Sequence, residues 1–378
     1  MNKKTVFISI TAIFICLCLT LGLYTLLRPA REFSARENRA LASFPSFSVS
    51  ALLDGSYTKD IGTYFADQFA ARDLSSQINL TVKRLLGQKE SGGVYLGKND
   101  QLYLIPDTPD MTKVEKNVSA VNKFASAFPK VNSYFCIVEN AVCLQGQNLP
   151  KNAPVPEQDV FLASIEEQLQ GVKMIDVNEK LKSENEKYIF YLTDHHWTSL
   201  GAKIAFEEVA GDMGIKNIIT EYKVLPFGDE FFGTLSSKSG CYTVGDTVEV
   251  YLPETDLLYS VEYVDTLTKT TTIFDNDAIS VKDKYTVFFG GNHPRVDITT
   301  TADTGRSLLV FKDSYFNSFA QFIWPYFEKI VIVDPRYYYE YAGDIVKQEN
   351  ITDILYLYNA DTFGTDSSLY AVLEAPEN

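Results

Sequence analysis

Side chains able to do covalent chemistry are few in this chain and unevenly placed. There are three histidines in 378 residues, and two of them fall in one stretch, Thr193-Asp194-His195-His196-Trp197. A carboxylate two residues before an imidazole can orient the ring and stabilise its protonated form. Asp194 and His196 have that spacing, although Asp-x-His alone is equally a structural hydrogen-bonded pair. The pair needs a nucleophile, and Lys312-Asp313-Ser314-Tyr315 offers one. Ser314 follows the apolar run 307–311 and precedes residues with helical character. A serine at a strand-to-helix turn presents its hydroxyl above the sheet, beside backbone N–H groups that can face a developing oxyanion. Ser314 as nucleophile, His196 as base and Asp194 as orienting acid make a complete set for acyl transfer.

Other polar groups have two readings each. Asn292, in Gly290-Gly291-Asn292-His293-Pro294, could donate its amide to an oxyanion or could shape a glycine turn. His195 either lines the site or supports it structurally. Trp197 either packs or presents a platform to a sugar. Arg336, beside Tyr337, Tyr338 and Tyr339, either contacts substrate or stacks on the aromatic rings. Asp194, His195 and His196 are also the beginning of a metal-ligand set. Adjacent histidines on extended backbone point in different directions, however, and no further ligands accompany them. No cofactor is expected.

Residues so far apart must be brought together by the fold. The run 188–192 reads as a buried strand leading to Asp194, and 199–213 as a helix with Ala202, Phe206 and Val209 on one face. Residues 94–104 read as a hairpin, 111–128 as an amphipathic helix and 133–138 as a buried strand. Further strands are expected at 173–177, 307–311, 329–333 and 351–358, with helices at 160–169 and 341–350. Segments 244–251 and 260–274, rich in Val, Thr and Tyr, read as antiparallel strands. Such alternation predicts an α/β fold, a mostly parallel sheet with helices on both faces. Ligands in such folds bind at the carboxyl ends of the strands. The expected division is a membrane or signal segment at 1–28 and a connector with helical lead-in at 29–92. The α/β domain takes 93–241 and 286–378, around a strand-rich insertion at 242–285.

Composition limits the partners. The formal net charge is −15, and no basic patch interleaved with aromatics occurs, so nucleic acid is not expected to bind. Residues 6–27 carry no charge and follow Lys3 and Lys4. That pattern predicts a single-pass anchor with a cytoplasmic N-terminus and an extracytoplasmic body. The alternative is a secreted protein whose signal peptide is cleaved. Of five cysteines, Cys136 and Cys143 either form a local disulfide or remain two buried thiols.

The two chemical stretches together resemble the DHHW family. The wider pattern is similar to the SGNH-hydrolase-like polysaccharide O-acetyltransferases of the alginate acetylation type. Residues 37–45, Phe69 with Arg72, and the 94–104 hairpin share the likeness, which covers most of residues 35–360. The resemblance implies Ser314 as nucleophile, His196 as base and Asp194 as its acid, with Asp and His preceding Ser in the chain. It also implies a polysaccharide acceptor and a membrane partner that passes acetyl groups outward. An esterase with the same triad and a noncatalytic carbohydrate-binding surface protein are the alternatives. Neither the acceptor polymer nor the oligomeric state is encoded in a motif. Lys312 stands where the family has glycine, and Tyr315 where it has phenylalanine.

Overall fold

The run Ser307–Lys312 is apolar from Leu308 to Phe311, as a strand covered on both faces must be. In the computed structural model, which describes residues 2–34 and 36–375, it lies inside an eight-stranded sheet. Met1 and residues 376–378, within the expected terminal segments, and Ala35, within the connector, lie outside the described residues. The strands in chain order are β1 (Asn132–Val138), β2 (Lys173–Met174), β3 (Tyr259–Tyr263) and β4 (Thr268–Thr270), then β5 (Arg295–Thr300), β6 (Ser307–Lys312), β7 (Lys329–Val333) and β8 (Asp353–Asn359). Their spatial order is β4-β3-β5-β7-β6-β8-β1-β2. Strands β7, β6, β8, β1 and β2 are mutually parallel. Strands β5, β3 and β4 extend the sheet antiparallel from β7.

Alternation of side chains divides the core in two. Leu308 and Val310 face one cluster with Ile330, Ile332, Leu355, Leu357, Cys136 and Val138. Leu309 and Phe311 face the other with Val331, Val333, Ile354, Tyr356, Phe135 and Ile137. Helices cover both. On the second face lie α1 (Met111–Ala127), through Val114, Val118, Val121 and Phe124, and α4 (Ala342–Gln348), through Ile345 and Val346. On the first face lie α2 (Ser199–Asp212), through Ala202, Phe206 and Val209, and α3 (Tyr315–Ile323), through Phe316, Phe319 and Phe322. Each large side chain so buried contributes about 1.5–3 kcal/mol. The caps agree with the sequence: Asp110 accepts from Thr112 N at the start of α1, and Thr198 from Gly201 N at the start of α2.

The chain divides into two compact units, residues 1–92 with 236–241 and residues 93–235 with 242–378. The sheet belongs to the second. Of the strand-rich stretch 242–285, β3 and β4 join the large sheet through β5, and Glu249–Pro253 pairs antiparallel with Tyr222–Pro226. In the first unit, Lys3–Leu27 is one helix with no buried side chain. Its 25 residues make about 37 Å at 1.5 Å per residue, enough to cross a hydrocarbon core of about 30 Å. The helical lead-in includes the helices Ser56–Gln68 and Arg72–Leu85. Arg39 pairs with Asp67 at 2.6 Å and Arg72 with Glu37 at 2.6 Å.

One expectation is corrected. Residues 188–192 are not a sheet strand. The chain doubles back, with Phe190 bridged to Trp197 and Thr198 N donating to Ile189 O at 2.9 Å. Ile189, Phe190 and Tyr191 are buried because the loop closes on its own core cluster, and a short apolar run carries no periodicity to distinguish that from a strand. Of the two alternatives for Cys136 and Cys143, the structure has free thiols. Cys136 faces the first core cluster, whereas Cys143 packs beside Tyr95, Tyr103 and Val142, so they serve different clusters. Burial pushes the Cys143 thiol up to about 12.

Just past β1, Glu139 enters a pocket of about 240 Å³ with Asp159, Asp176 and Glu179. Burial, and then the Asp159 charge, raises its carboxyl to about 7. The unfolded value is about 4.3. Between those values the folded protein holds more protons than the unfolded chain, so this residue's contribution to stability declines as pH rises. Thermal unfolding of Glu139→Gln should therefore vary less between about pH 5 and about pH 7.5 than that of the parent protein. Identical pH dependence in the two proteins would contradict this assignment.

Candidate active site

Ser314 sits where β6 hands over to α3, at the carboxyl end of the central parallel strands. Its turn is tied to the neighbouring strand: Asp313 accepts from Tyr315 N at 2.9 Å and from Asn359 N, the last residue of β8, at 2.9 Å. Lys312 is still strand, a conformation open to any residue, so the turn forms without the glycine the family pattern has there. The Ser314 N–H has no hydrogen-bond partner among the described residues, and it heads a nine-residue helix.

The Asp-His-His-Trp loop is held from the other side. Asp246, buried, accepts from Leu192 N at 2.7 Å and Thr193 N at 2.9 Å, and from the Thr193 and Tyr188 hydroxyls. Trp197 is fully buried. Its indole N–H lies 3.0 Å from both Tyr315 O and Ser318 Oγ, so it packs rather than presenting a platform. It thereby joins the histidine loop to α3.

Between these two supports the three predicted groups meet. His196 Nε2 lies 2.7 Å from Ser314 Oγ, and His196 Nδ1 lies 2.5 Å from Asp194 Oδ1. An ionised carboxylate only accepts, so Nδ1 carries the proton and Nε2 is the acceptor facing the serine hydroxyl. Asp194 also accepts from His196 N at 3.0 Å, Thr234 N at 2.7 Å and Thr234 Oγ1 at 3.0 Å. Burial alone would raise the Asp194 carboxyl. The His195 and His196 rings and these donated bonds overcome it and hold the group well below the ordinary carboxylate range. Gly233 is required here, because a Cβ would stand 2.3 Å from Asp194 Oδ2. Asp194 and His196 are buried, while Ser314 is partly exposed. The arrangement can pass the serine proton to the imidazole while the carboxylate stabilises the resulting cation.

Of the other predicted residues, His195 contacts His196 directly, and Asn292, Arg336 and His293 are held by different partners. Lys312 is buried, with 3% of its side chain exposed, and lies 3.2 Å from Asp334. Its ammonium donates to Asn292 Oδ1 at 3.0 Å and Asn317 Oδ1 at 2.8 Å. Burial lowers the Lys312 pKa, and Asp334 opposes that. Lysine has no acceptor, so the Asn292 carbonyl must face it, which commits the amide nitrogen to the other side. Gly290 and Gly291 have φ of 72° and 125°, so the glycine turn is also real. Arg336 forks onto Asp334 at 2.8 and 2.6 Å and stacks on Tyr337. His195 lies beside His196, ring centroids 3.9 Å apart, and its Nδ1 is 2.7 Å from Thr234 Oγ1. His293 is tied to Asp265 and to Phe289 O, each at 3.0 Å. Ligand atoms of Asp194, His195 and His196 fall within 4.8 Å of one another. Both His196 nitrogens are already engaged, Nδ1–H by Asp194 and Nε2 by Ser314, so a metal would compete with the Ser314 hydroxyl for the lone pair on Nε2.

Sequence reasoning missed Gly233, Thr234, Asp246 and Tyr285. Tyr285 lies parallel to the His196 ring, 3.9 Å away and tilted 10°. Gly233-Thr234 and Gly245-Asp246 were the available signals, small residues beside polar ones in an otherwise aromatic region. Nothing in their spacing connects them to Asp194.

The sequence model of the DHHW protein family matches residues 113–333. A solved DHHW family protein from Eubacterium siraeum is 25% identical with a TM-score of 0.66, covering 75% of this chain and 95% of its own. Bacillus cereus PatB1, solved with a sulfonyl adduct, is 19% identical with a TM-score of 0.61, covering 73% of this chain and 97% of its own; that likeness concerns the fold. The probable alginate O-acetylase AlgJ of Pseudomonas syringae pv. tomato is 25% identical over 189 residues, 47% of this chain and 48% of AlgJ. The chain thus spans about half the length of that curated relative. The fold is SGNH-hydrolase-like α/β.

Asp246→Ala would leave the N–H groups of Leu192 and Thr193 without their acceptor. Each buried orphan costs about 1–3 kcal/mol. Chemical denaturation should therefore show a loss of about 3 kcal/mol. A loss within about 0.5 kcal/mol, as for ordinary surface changes, would mean that Asp246 does not hold the loop.

Proposed function

The chain belongs to the DHHW protein family, and from that premise we propose that it is an extracytoplasmic O-acetyltransferase. It moves an acetyl group, through an acyl-serine at Ser314, to a cell-surface or secreted polysaccharide. The observation that carries this reading is the continuous contact from Asp194 to His196 to Ser314, at 2.5 and 2.7 Å. The alginate O-acetylase relative supports the choice of acetyl group and polysaccharide. The apolar helix Lys3–Leu27 supports a single-pass anchor, with a membrane protein as the source of acetyl groups.

In the first half-reaction His196 Nε2 takes the Ser314 proton as Oγ bonds to the acetyl carbon. The Ser314 N–H and the Asn292 amide are the proposed donors to the oxyanion, and His195 and Arg336 the proposed contacts to substrate. When the tetrahedral intermediate collapses, the donor's bond to the acetyl carbon breaks. The leaving group departs with the proton held on His196. In the second half a sugar hydroxyl gives its proton to His196 and bonds to the acetyl carbon. The Ser314 Oγ–carbon bond breaks and the serine recovers the proton. Asp194 stabilises the imidazolium in both halves and stays ionised throughout.

Intact-protein mass spectrometry after incubation with 4-nitrophenyl acetate tests this reading. One acetyl group should appear on Ser314. It should be absent in Ser314→Ala and form at least about a hundredfold more slowly in His196→Ala. De-O-acetylated polysaccharide should then discharge the adduct faster than water does. Equal discharge by water marks an esterase. Folded protein that takes up no acetyl group from several activated esters sinks the acyl-serine mechanism altogether.

A further inference from the structure

Tyr285 touches both partners of the His196–Ser314 hydrogen bond. Its ring lies flat against the His196 imidazole, centroids 3.9 Å apart and planes 10° from parallel. Its hydroxyl lies 2.9 Å from Ser314 O and 3.0 Å from Ser318 Oγ. The phenol has one proton. A carbonyl oxygen can only accept, so that proton goes to Ser314 O, and the Ser318 hydroxyl is left to donate to the phenol oxygen. Ser318 Oγ in turn lies 3.0 Å from the Trp197 indole N–H. The hydrogen bonds therefore run in one direction, from Trp197 to Ser318 to Tyr285 to Ser314. They join the histidine loop to the nucleophile's own backbone. Tyr285 is buried and packs edge-on against Tyr191 and Phe288, so its ring has one available position.

We propose that Tyr285 is a positioning residue that fixes the plane of the His196 ring and the height of the Ser314 turn together. The inference deepens the acyl-transfer reading and takes its chemical meaning from it. The imidazole can rotate about its bond to Cβ, and the Asp194 contact holds only one edge. A phenol face pressed on the ring removes that freedom, which keeps Nε2 aimed at Oγ. The same face has a second effect once the proton moves. When Ser314 Oγ bonds to the acyl carbon and its proton passes to Nε2, the imidazole becomes a cation lying on an electron-rich ring. That contact favours the charged state over the neutral one, so it acts where the barrier is rather than in the resting enzyme.

The test uses the full chain in detergent micelles with ¹³C-labelled histidine. There are three histidines, and His195→Asn and His293→Asn identify the His196 signals by elimination. Protons held over an aromatic face are shifted upfield, so the His196 ring protons should move downfield in Tyr285→Leu and stay in place in Tyr285→Phe. Acylation by 4-nitrophenyl acetate should slow about tenfold in Tyr285→Leu. In Tyr285→Phe, which keeps the stack and loses the bond to Ser314 O, it should slow about fivefold. KM should stay within about twofold in both, because neither variant touches the substrate. Unmoved His196 signals in folded Tyr285→Leu would overturn the proposal. If Tyr285→Leu does not fold, displaced His196 signals in Tyr285→Phe would overturn it equally. If the parent protein forms no acyl-serine while the ring shift is present and lost on Tyr285→Leu, the positioning role stands and the acyl-transfer reading falls.

Discussion

A carboxylate taken almost wholly out of water dictates much of this site. Asp194 is 3% exposed, and an ion so placed is tolerated only when its lone pairs are filled by donors. Four donor atoms fill them, two from His196 and two from Thr234. That requirement explains why residues 231–234 run against the histidine loop, and why position 233 has no side chain. It also sets the tautomer of His196. With the proton held at Nδ1 by Asp194, Nε2 has no alternative but to accept, and Ser314 is the hydroxyl within reach. The orientation of the His196 ring is thus a consequence of how one buried charge is satisfied.

The Ser314 side of the site solves a similar problem with the opposite charge. Lys312, the last residue of β6, and Asp334, just past the end of the adjacent parallel strand β7, face each other at 3.2 Å. Neither could be buried alone. Arg336 on Asp334, and Asn292 and Asn317 on Lys312, satisfy what the pair leaves over. A buried ion pair of this kind adds little net stability, but it constrains geometry. Asn292 has its carbonyl held by a group that can only donate, so the direction of its amide is settled by chemistry. Lysine in place of glycine before Asp313-Ser314 therefore brings with it a polar cluster that glycine could not support. Arg336 is held by Asp334 and Tyr337 and shares in that cluster.

Aromatic packing links the two sides. Tyr285 and Tyr315 pack on His196, and Trp197 packs on Tyr315; each also has a polar atom engaged by the loop or by the start of α3. Aromatic groups with one polar end suit this place, because they exclude water while still closing hydrogen bonds. The abundance of tyrosine in the composition has part of its use here.

Much of this was legible without coordinates. Val114, Val118, Val121 and Phe124 read as one side of a helix because their spacing is a local period, and Leu308 to Phe311 read as a strand covered on both faces because the run is short, apolar and followed by a polar turn. Asp194, His196 and Ser314 were legible too, since a charge two residues from an imidazole and a serine after a buried strand are signals carried by neighbours in the chain. The run 188–192 was misread because five apolar residues bury equally well in a strand or in a loop closed on itself, and only the packing decides which. Gly233, Thr234, Asp246 and Tyr285 were invisible for a related reason. Each matters through a residue 29 to 53 positions away, Thr234 and Gly233 through Asp194, Asp246 through Thr193, and Tyr285 through Ser314. Local periodicity determines the elements, whereas the filling of a buried ion's lone pairs and the stacking of one ring on another exist only once those elements are packed.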